Sequence, residues 1–337
     1  KDNGEVTLSI DTNADTASLK VNGKEEGGES SGKYSVKKFA RAGLETSFEI
    51  IAQDTSGNTQ SKTVSVTRSI TQVTSNDYET LKPQSLKKRK SRDAVAIIIG
   101  IENYENAPKA QFANNDASAF YDYAVKALGV PENKIKLLID SKAGVIDIER
   151  TLKNWLPLNV EKDNTDVYIF YSGHGLPSPD GDTLYILPHG VDIDFLDRTA
   201  ISQASLLNAI KNANPKSAIL FMDSCYSGST RSGDKLMASA RPIIIKKTNK
   251  GYPDNFTVLS ASSVNQISFS NPNLEHGIFS FYLMKGLEGF ADSDKDGKIM
   301  VGELNEYLKT SVAKSALSMN KIQTPQTIGN FKKVIVK

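Results

Sequence analysis

Cysteine is nearly absent: Cys225 is the only one in 337 residues. An internal disulfide is therefore excluded, and any thiol chemistry must fall on that residue. Histidine is scarce too, with three copies, and there is a single tryptophan. No apolar run approaches the roughly 20 residues that span a bilayer, so no membrane span is expected. Lys and Arg number 41 against 39 Asp and Glu, a net charge of +2. That balance gives no global reason to expect nucleic acid or a membrane surface as partner. The chain opens on Lys1 without Met or a signal peptide, which reads as a trimmed N-terminus whose targeting information is lost. What remains is ordinary for a soluble globular protein, at 39% hydrophobic and 24% charged residues. The length suits one large domain with a small one.

Three parts follow from the pattern along the chain. Residues 1–68 alternate short strand-like runs with turn clusters: Val6–Ile10, Ala17–Val21, Lys33–Phe39, Ser47–Gln53 and Thr59–Thr67, punctuated by Asn22-Gly23, Gly27-Gly28 and Ser56-Gly57-Asn58. That is the rhythm of a small all-β sandwich. Residues 69–92 are polar and end in "LKPQSLKKRKSR", where Lys82, Lys87, Lys88, Arg89, Lys90 and Arg92 occur without an intervening acid. Like charges repel, so this reads as an exposed basic linker.

From Asp93 to residue 337 strands and helices alternate. Strands are expected at Ala94–Ile101, Lys134–Ile139, Asp166–Tyr171, Ala218–Met222, Thr257–Ser260 and Lys332–Val336. Helices are expected at Asp116–Leu128, Ile146–Trp155, Gln203–Ala213, Ile278–Leu287 and Gly302–Ala313. Apolar strands interleaved with amphipathic helices predict an α/β domain: a mainly parallel sheet flanked by helices on both faces.

In open α/β sheets the chemistry gathers beyond the carboxyl ends of the strands. Two such ends carry unusual residues. One strand runs into Ser172-Gly173-His174-Gly175, the other into Asp223-Ser224-Cys225-Tyr226. Were the two strands neighbours, His174 could take the proton of Cys225 and make it a strong nucleophile. A lone Cys or His is more often structural; the joint placement in Gly-flanked loops, 51 residues apart, argues for a pair.

"YIFYSGHG" followed by "ILFMDSCYSG" resembles the caspase-like cysteine peptidases, metacaspases and their bacterial relatives above all. The resemblance extends to "VAIIIGIENY", "NNDA", "HGIFSFYLMKGLEG" and "TPQTIGN" and covers residues 93–337. The interval of about 50 residues from His to Cys is itself a known caspase trait. The family implies that Cys225 attacks a peptide carbonyl, that His174 handles protons, and that the N–H groups of Gly175 and Cys225 stabilise the oxyanion. Asp223, two residues before the nucleophile, stands where caspases have Gln. With Asp116 and Ser172 it matches the metacaspase pattern and implies protein or peptide substrates cut after Arg or Lys. Asp116 would also serve as a plain helix N-terminal charge, and Asp223 as an ordinary hydrogen-bonded loop residue. Self-processing is expected in the basic linker or in the Lys- and Arg-rich segment 229–253, and no organic cofactor is implied. The competing class is a catalytically idle caspase-like binding domain; intact His174 and Cys225 favour the enzyme.

A second motif, Asp292-Ser-Asp294-Lys-Asp296-Gly297-Lys298 with Glu303 at position twelve, fits the calcium loop D-x-D-x-D-G-x5-E. Side-chain oxygens of Asp292, Asp294, Asp296 and Glu303 and the carbonyl of Lys298 would hold Ca2+. A solvated acidic loop is the alternative. His276 reads as structural, Trp155 as core packing, and His189 as part of a hairpin. "LKVNG", "GKYSV" and "AQDTSGN" resemble bacterial immunoglobulin-like modules, which implies a bacterial extracytoplasmic location: periplasmic, surface or secreted.

Overall fold

A computed structural model describes residues 5–27, 32–40, 45–67, 80–86, 89–224, 252–263 and 266–336. Two compact units divide the chain: residues 1–74 with 317–321, and residues 75–316 with 322–337.

The N-terminal unit is all β. Strands β1 (Glu5–Asp11) and β4 (Lys33–Phe39) pair antiparallel. Strands β2 (Thr16–Val21), β3 (Lys24–Glu25), β5 (Glu45–Asp54) and β6 (Thr59–Thr67) form a second sheet in the order β3-β2-β5-β6. Every second residue turns inward: Leu19 and Val21 of β2 and Phe48 and Ile50 of β5 meet Leu8 and Val36 in one small core. A two-sheet module with one buried face per sheet is what the alternation predicted; among the described residues, the two-residue β3 was missed.

The second unit is built on a six-stranded sheet. Its strands are β7 (Ala94–Gly100), β8 (Ile135–Ile139), β9 (Asp166–Ser172), β13 (Ser217–Asp223), β14 (Phe256–Ser260) and β18 (Gln326–Ile328). Their order is β18-β14-β13-β9-β7-β8, parallel except for β18. All residues of β7, β9 and β13 are buried, which accounts for their near-continuous apolar runs. Helices α1 (Ala113–Lys126), α2 (Val145–Arg150), α3 (Leu156–Asn159), α4 (Leu196–Thr199), α5 (Gln203–Asn212), α6 (Ile278–Lys285) and α7 (Val301–Ser318) join the strands. Among the described residues three small antiparallel pieces accompany this sheet: β10 (Gly175–Pro177) with β11 (Leu184–Ile186) and β12 (Ile201–Ser202); β15 (Ser270–Asn271) with β16 (His276–Gly277); and β17 (Ile299–Met300) with β19 (Val334–Val336).

Three expectations need adjustment. The last strand, expected at Lys332–Val336, is confined to β19, which pairs with β17 and stands outside the main sheet. The sixth strand of that sheet is β18, inside the "TPQTIGN" tail, where no strand was expected. The basic linker is not simply exposed. Arg92 forms an ion pair with Asp166 at 2.9 Å and donates to the Ile335 carbonyl. The Lys82 N–H donates to Glu288, which also receives the Tyr123 hydroxyl and pairs with buried Lys285. These two positions, Lys82 through its main chain and Arg92 through its charge, are tied to the domain. The helix expected over Ile146–Trp155 holds, as α2 continued by a wider turn over Thr151–Trp155.

Candidate active site

Strands β9 and β13 are adjacent and parallel, and Ser172 faces Asp223 in register. The Gly173 N–H donates to the Asp223 carbonyl at 3.2 Å, which carries the pairing one residue past the end of β9. His174 lies two residues beyond Ser172. Cys225 lies two residues beyond Asp223 in the sequence and falls outside the described residues, as does the segment 229–251 in which self-processing was expected.

His174 is wholly buried. Its Nε2 is 2.8 Å from the Pro108 carbonyl oxygen. A carbonyl only accepts, so Nε2 carries a hydrogen, and Nδ1 is the ring nitrogen whose proton can come and go. The imidazole stacks on Tyr104 at 4.9 Å between centroids. Its main-chain N–H donates to the Tyr104 hydroxyl (2.8 Å), and its carbonyl accepts from the Tyr171 hydroxyl (2.6 Å) and the Leu187 N–H (3.0 Å). Gly175 is buried, opens β10 and faces Ile186.

Tyr104 and Pro108 reach His174 from the loop after β7, and that loop is pinned. Asp140 accepts from the Glu102 and Asn103 N–H groups and from the Asn103 and Asn114 amides. Burial pushes the Asp140 carboxyl up, but these hydrogen bonds outweigh it and hold it below the usual carboxylate range. The Glu105 N–H donates to the His189 carbonyl, and the His189 N–H to Ala143. His189 is thus a tie between loops, and its ring lies 3.4 Å from the Glu105 carboxylate.

Asp116 and Asp223 are both fully buried. Asp116, in the first turn of α1 just after the left-handed Phe112, accepts from the Ser172 hydroxyl (2.7 Å), His276 Nδ1 (2.9 Å) and the Gly277 N–H (3.0 Å). Asp223 accepts from the Ser268 hydroxyl (2.6 Å) and from the hydroxyl (2.5 Å) and N–H (3.2 Å) of Ser280. The structure therefore brings Asp116, Ser172 and Asp223 into one cluster at the strand ends that bear His174. His276, read as structural, holds one of the two acids from β16. Its only signal in the sequence was its place in the "HGIFSFYLMKGLEG" segment. Ser280 and both tyrosines had no sequence signal as site residues beyond the segments that contain them, and Pro108 and Ser268 lie in no segment singled out.

In the acidic loop, ligand-type oxygens of Asp292, Asp294 and Asp296 lie within 4.8 Å of one another. Lys295 and Gly297 adopt left-handed φ of 60° and 80°, and Gly is the residue that does so without strain. Glu303 is turned inward along the loop, where it accepts from Ser293 and from the Met300 N–H. The Lys298 ammonium sits 3.2 Å from the Asp296 carboxylate. Carboxylate oxygens are the ligand type of a hard cation; Glu303, engaged with Ser293 and Met300 at the start of α7, is not one of the three grouped acids.

The family profile of the caspase domain, Peptidase C14, matches residues 93–335. None of the curated proteins matches the chain. Among solved structures the chain is similar to protein GSU0716 from Geobacter sulfurreducens, with a TM-score of 0.50 and 16% identity over 72% of this chain and 97% of that one. It is also similar to caspase-1 from Spodoptera frugiperda, with a TM-score of 0.47 and 15% identity over 74% and 92% of the two chains. At 16% identity the likeness to GSU0716 is one of fold.

Proposed function

The chain belongs to the caspase-domain family of cysteine endopeptidases, and we propose that it cuts protein substrates after Arg or Lys through a Cys225–His174 dyad. The observation that carries this reading is the register of β9 and β13. It sets Ser172 beside Asp223, with Asp116 hydrogen-bonded to Ser172, while His174 and Cys225 each follow two residues on. In the reaction the Cys225 proton passes to His174 Nδ1, and the thiolate forms a bond to the peptide carbonyl carbon. The N–H groups of Gly175 and Cys225 stabilise the oxyanion. The C–N bond then breaks as the imidazolium returns its proton to the leaving amine. Water, deprotonated by the same ring, hydrolyses the thioester. Two buried carboxylates beside these strand ends favour a cationic side chain and disfavour Asp.

Calcium held by Asp292, Asp294, Asp296, Glu303 and the Lys298 carbonyl belongs to the same proposal, as does self-cleavage in the basic linker or in segment 229–253. The N-terminal β module, read as immunoglobulin-like, supports an extracytoplasmic location. The deciding experiment is a cleavage profile on a peptide library, run with the parent and Cys225→Ala. Cuts confined to bonds after Arg or Lys, and absent from the variant, are expected; cleavage after Asp would overturn the specificity.

A further inference from the structure

We propose that Tyr104 and Tyr171 are positioning residues for the proton transfer, because their neighbouring hydroxyls hold the N–H and the carbonyl of His174. The His174 N–H donates to the Tyr104 hydroxyl at 2.8 Å. That hydroxyl lies 3.4 Å from the Tyr171 hydroxyl, which also meets the N–H and carbonyl of Leu187 at 3.2 Å each. The Tyr171 hydroxyl donates to the His174 carbonyl at 2.6 Å. Both main-chain groups of one residue are thereby fixed by two buried phenols. The side chain is fixed as well, since Tyr104 stacks under the ring and the Pro108 carbonyl holds Nε2.

The residue between strand and histidine must leave room for this. A Cβ on Gly173 would lie 2.6 Å from the Tyr104 hydroxyl and 2.8 Å from that of Tyr171. Only glycine lets both oxygens close over the turn. Tyr171, Gly173 and His174 thus act as one spatial unit, completed by Tyr104 from the pinned loop after β7. Ordinary core packing would require the rings and not the hydroxyls. Tyr104 has a second effect: its face lies against the ring that becomes cationic once the thiol proton arrives, a favourable arrangement for an imidazolium.

The proposal rests on His174 being the partner of Cys225, and the test separates the two ideas. With one cysteine in the chain, alkylation by iodoacetamide between about pH 5 and pH 9.5 reports on Cys225 alone, without substrate. In the parent the reactive form is expected below the ordinary thiol range, and His174→Ala should move the midpoint up to about 8.5. Tyr104→Phe and Tyr171→Phe should each move it part of the way. They should also lower kcat by roughly 10- to 100-fold with KM nearly constant, the scale of a misplaced catalytic group. Tyr104→Leu, which removes the ring as well, should lose more than Tyr104→Phe. Folded Phe variants that alkylate like the parent would overturn the proposal whatever their kcat. A parent-like profile in His174→Ala would instead sink the dyad itself. Should Tyr171→Phe fail to fold, Tyr104→Phe decides the matter alone by the same readings.

Discussion

Replacing Asp223 by Asn removes one negative charge from the proposed substrate pocket while keeping its shape. The surroundings accommodate the amide in one orientation. The Ser280 N–H cannot reverse, so the Asn oxygen must face Ser280; the amide N–H2 then faces Ser268, whose hydroxyl can turn to accept. Asp116 has the same design, with one oxygen toward the fixed Gly277 N–H and His276 and the other toward the rotatable Ser172 hydroxyl. Either substitution should therefore cost the fold only about 1 kcal/mol. Activity is another matter. Truncating one partner of a buried charge pair costs about 2–5 kcal/mol. In the proposed pocket two acids would share the cation, so each single change should fall near 2–3 kcal/mol, or roughly 30- to 150-fold in kcat/KM. The assay compares two peptides identical except for Arg or citrulline before the scissile bond, since citrulline keeps the shape and lacks the charge. Asp223→Asn should lower kcat/KM for the Arg peptide by that factor and leave the citrulline peptide nearly unchanged. An unaltered Arg-to-citrulline ratio in a folded variant would refute the charged pocket.

Other consequences are open to measurement. Asp166 receives the Ser217 hydroxyl and pairs with Lys333 and Arg92, and these contacts outweigh burial and hold its carboxyl below its ordinary value. A carboxyl depressed on folding stabilises above its unfolded pKa, and the benefit fades as pH falls through the folded one. Asp166→Asn should therefore unfold about 2–3 kcal/mol more easily at pH 7, by urea titration of Trp155 fluorescence, with the gap to the parent narrowing towards pH 3; a pH-independent gap would contradict the ion-pair account. Millimolar calcium should raise the melting temperature, by about 2.7 kcal/mol of stability at a hundredfold excess over Kd. An undiminished shift in Glu303→Gln would remove that loop as the site. Incubated with calcium, the parent should yield fragments ending at Lys or Arg within Lys87–Arg92 or segment 229–253, and Cys225→Ala should stay whole; identical fragments from the variant would point to a contaminating protease.

What the sequence disclosed and what it withheld divide along sequence separation. Strand β7 was legible because seven successive buried positions leave a continuous apolar run, and α1 because it has an apolar face of its own. Strand β18 was not. Its three residues, Gln326, Thr327 and Ile328, are half-buried, and only pairing with Val258–Ser260, some 70 positions earlier, makes them a strand. The site splits the same way. His174, Asp116 and Asp223 announced themselves through motifs, since each sits at the end of a strand or the start of a helix that local pattern can locate. The groups that aim them did not: His276 is 160 residues from Asp116, Ser280 is 57 from Asp223, and Tyr104 is 70 from His174. A local signature can thus single out a histidine and two acids for inspection. Whether the ring and the carboxylates are held still enough to work depends on partners brought in by the sheet order. Tyr104 and Tyr171 each sat inside a segment already noted for its resemblance. Their hydroxyls acquired a role only when β7 and β9 were placed side by side, with Gly173 leaving the space between them.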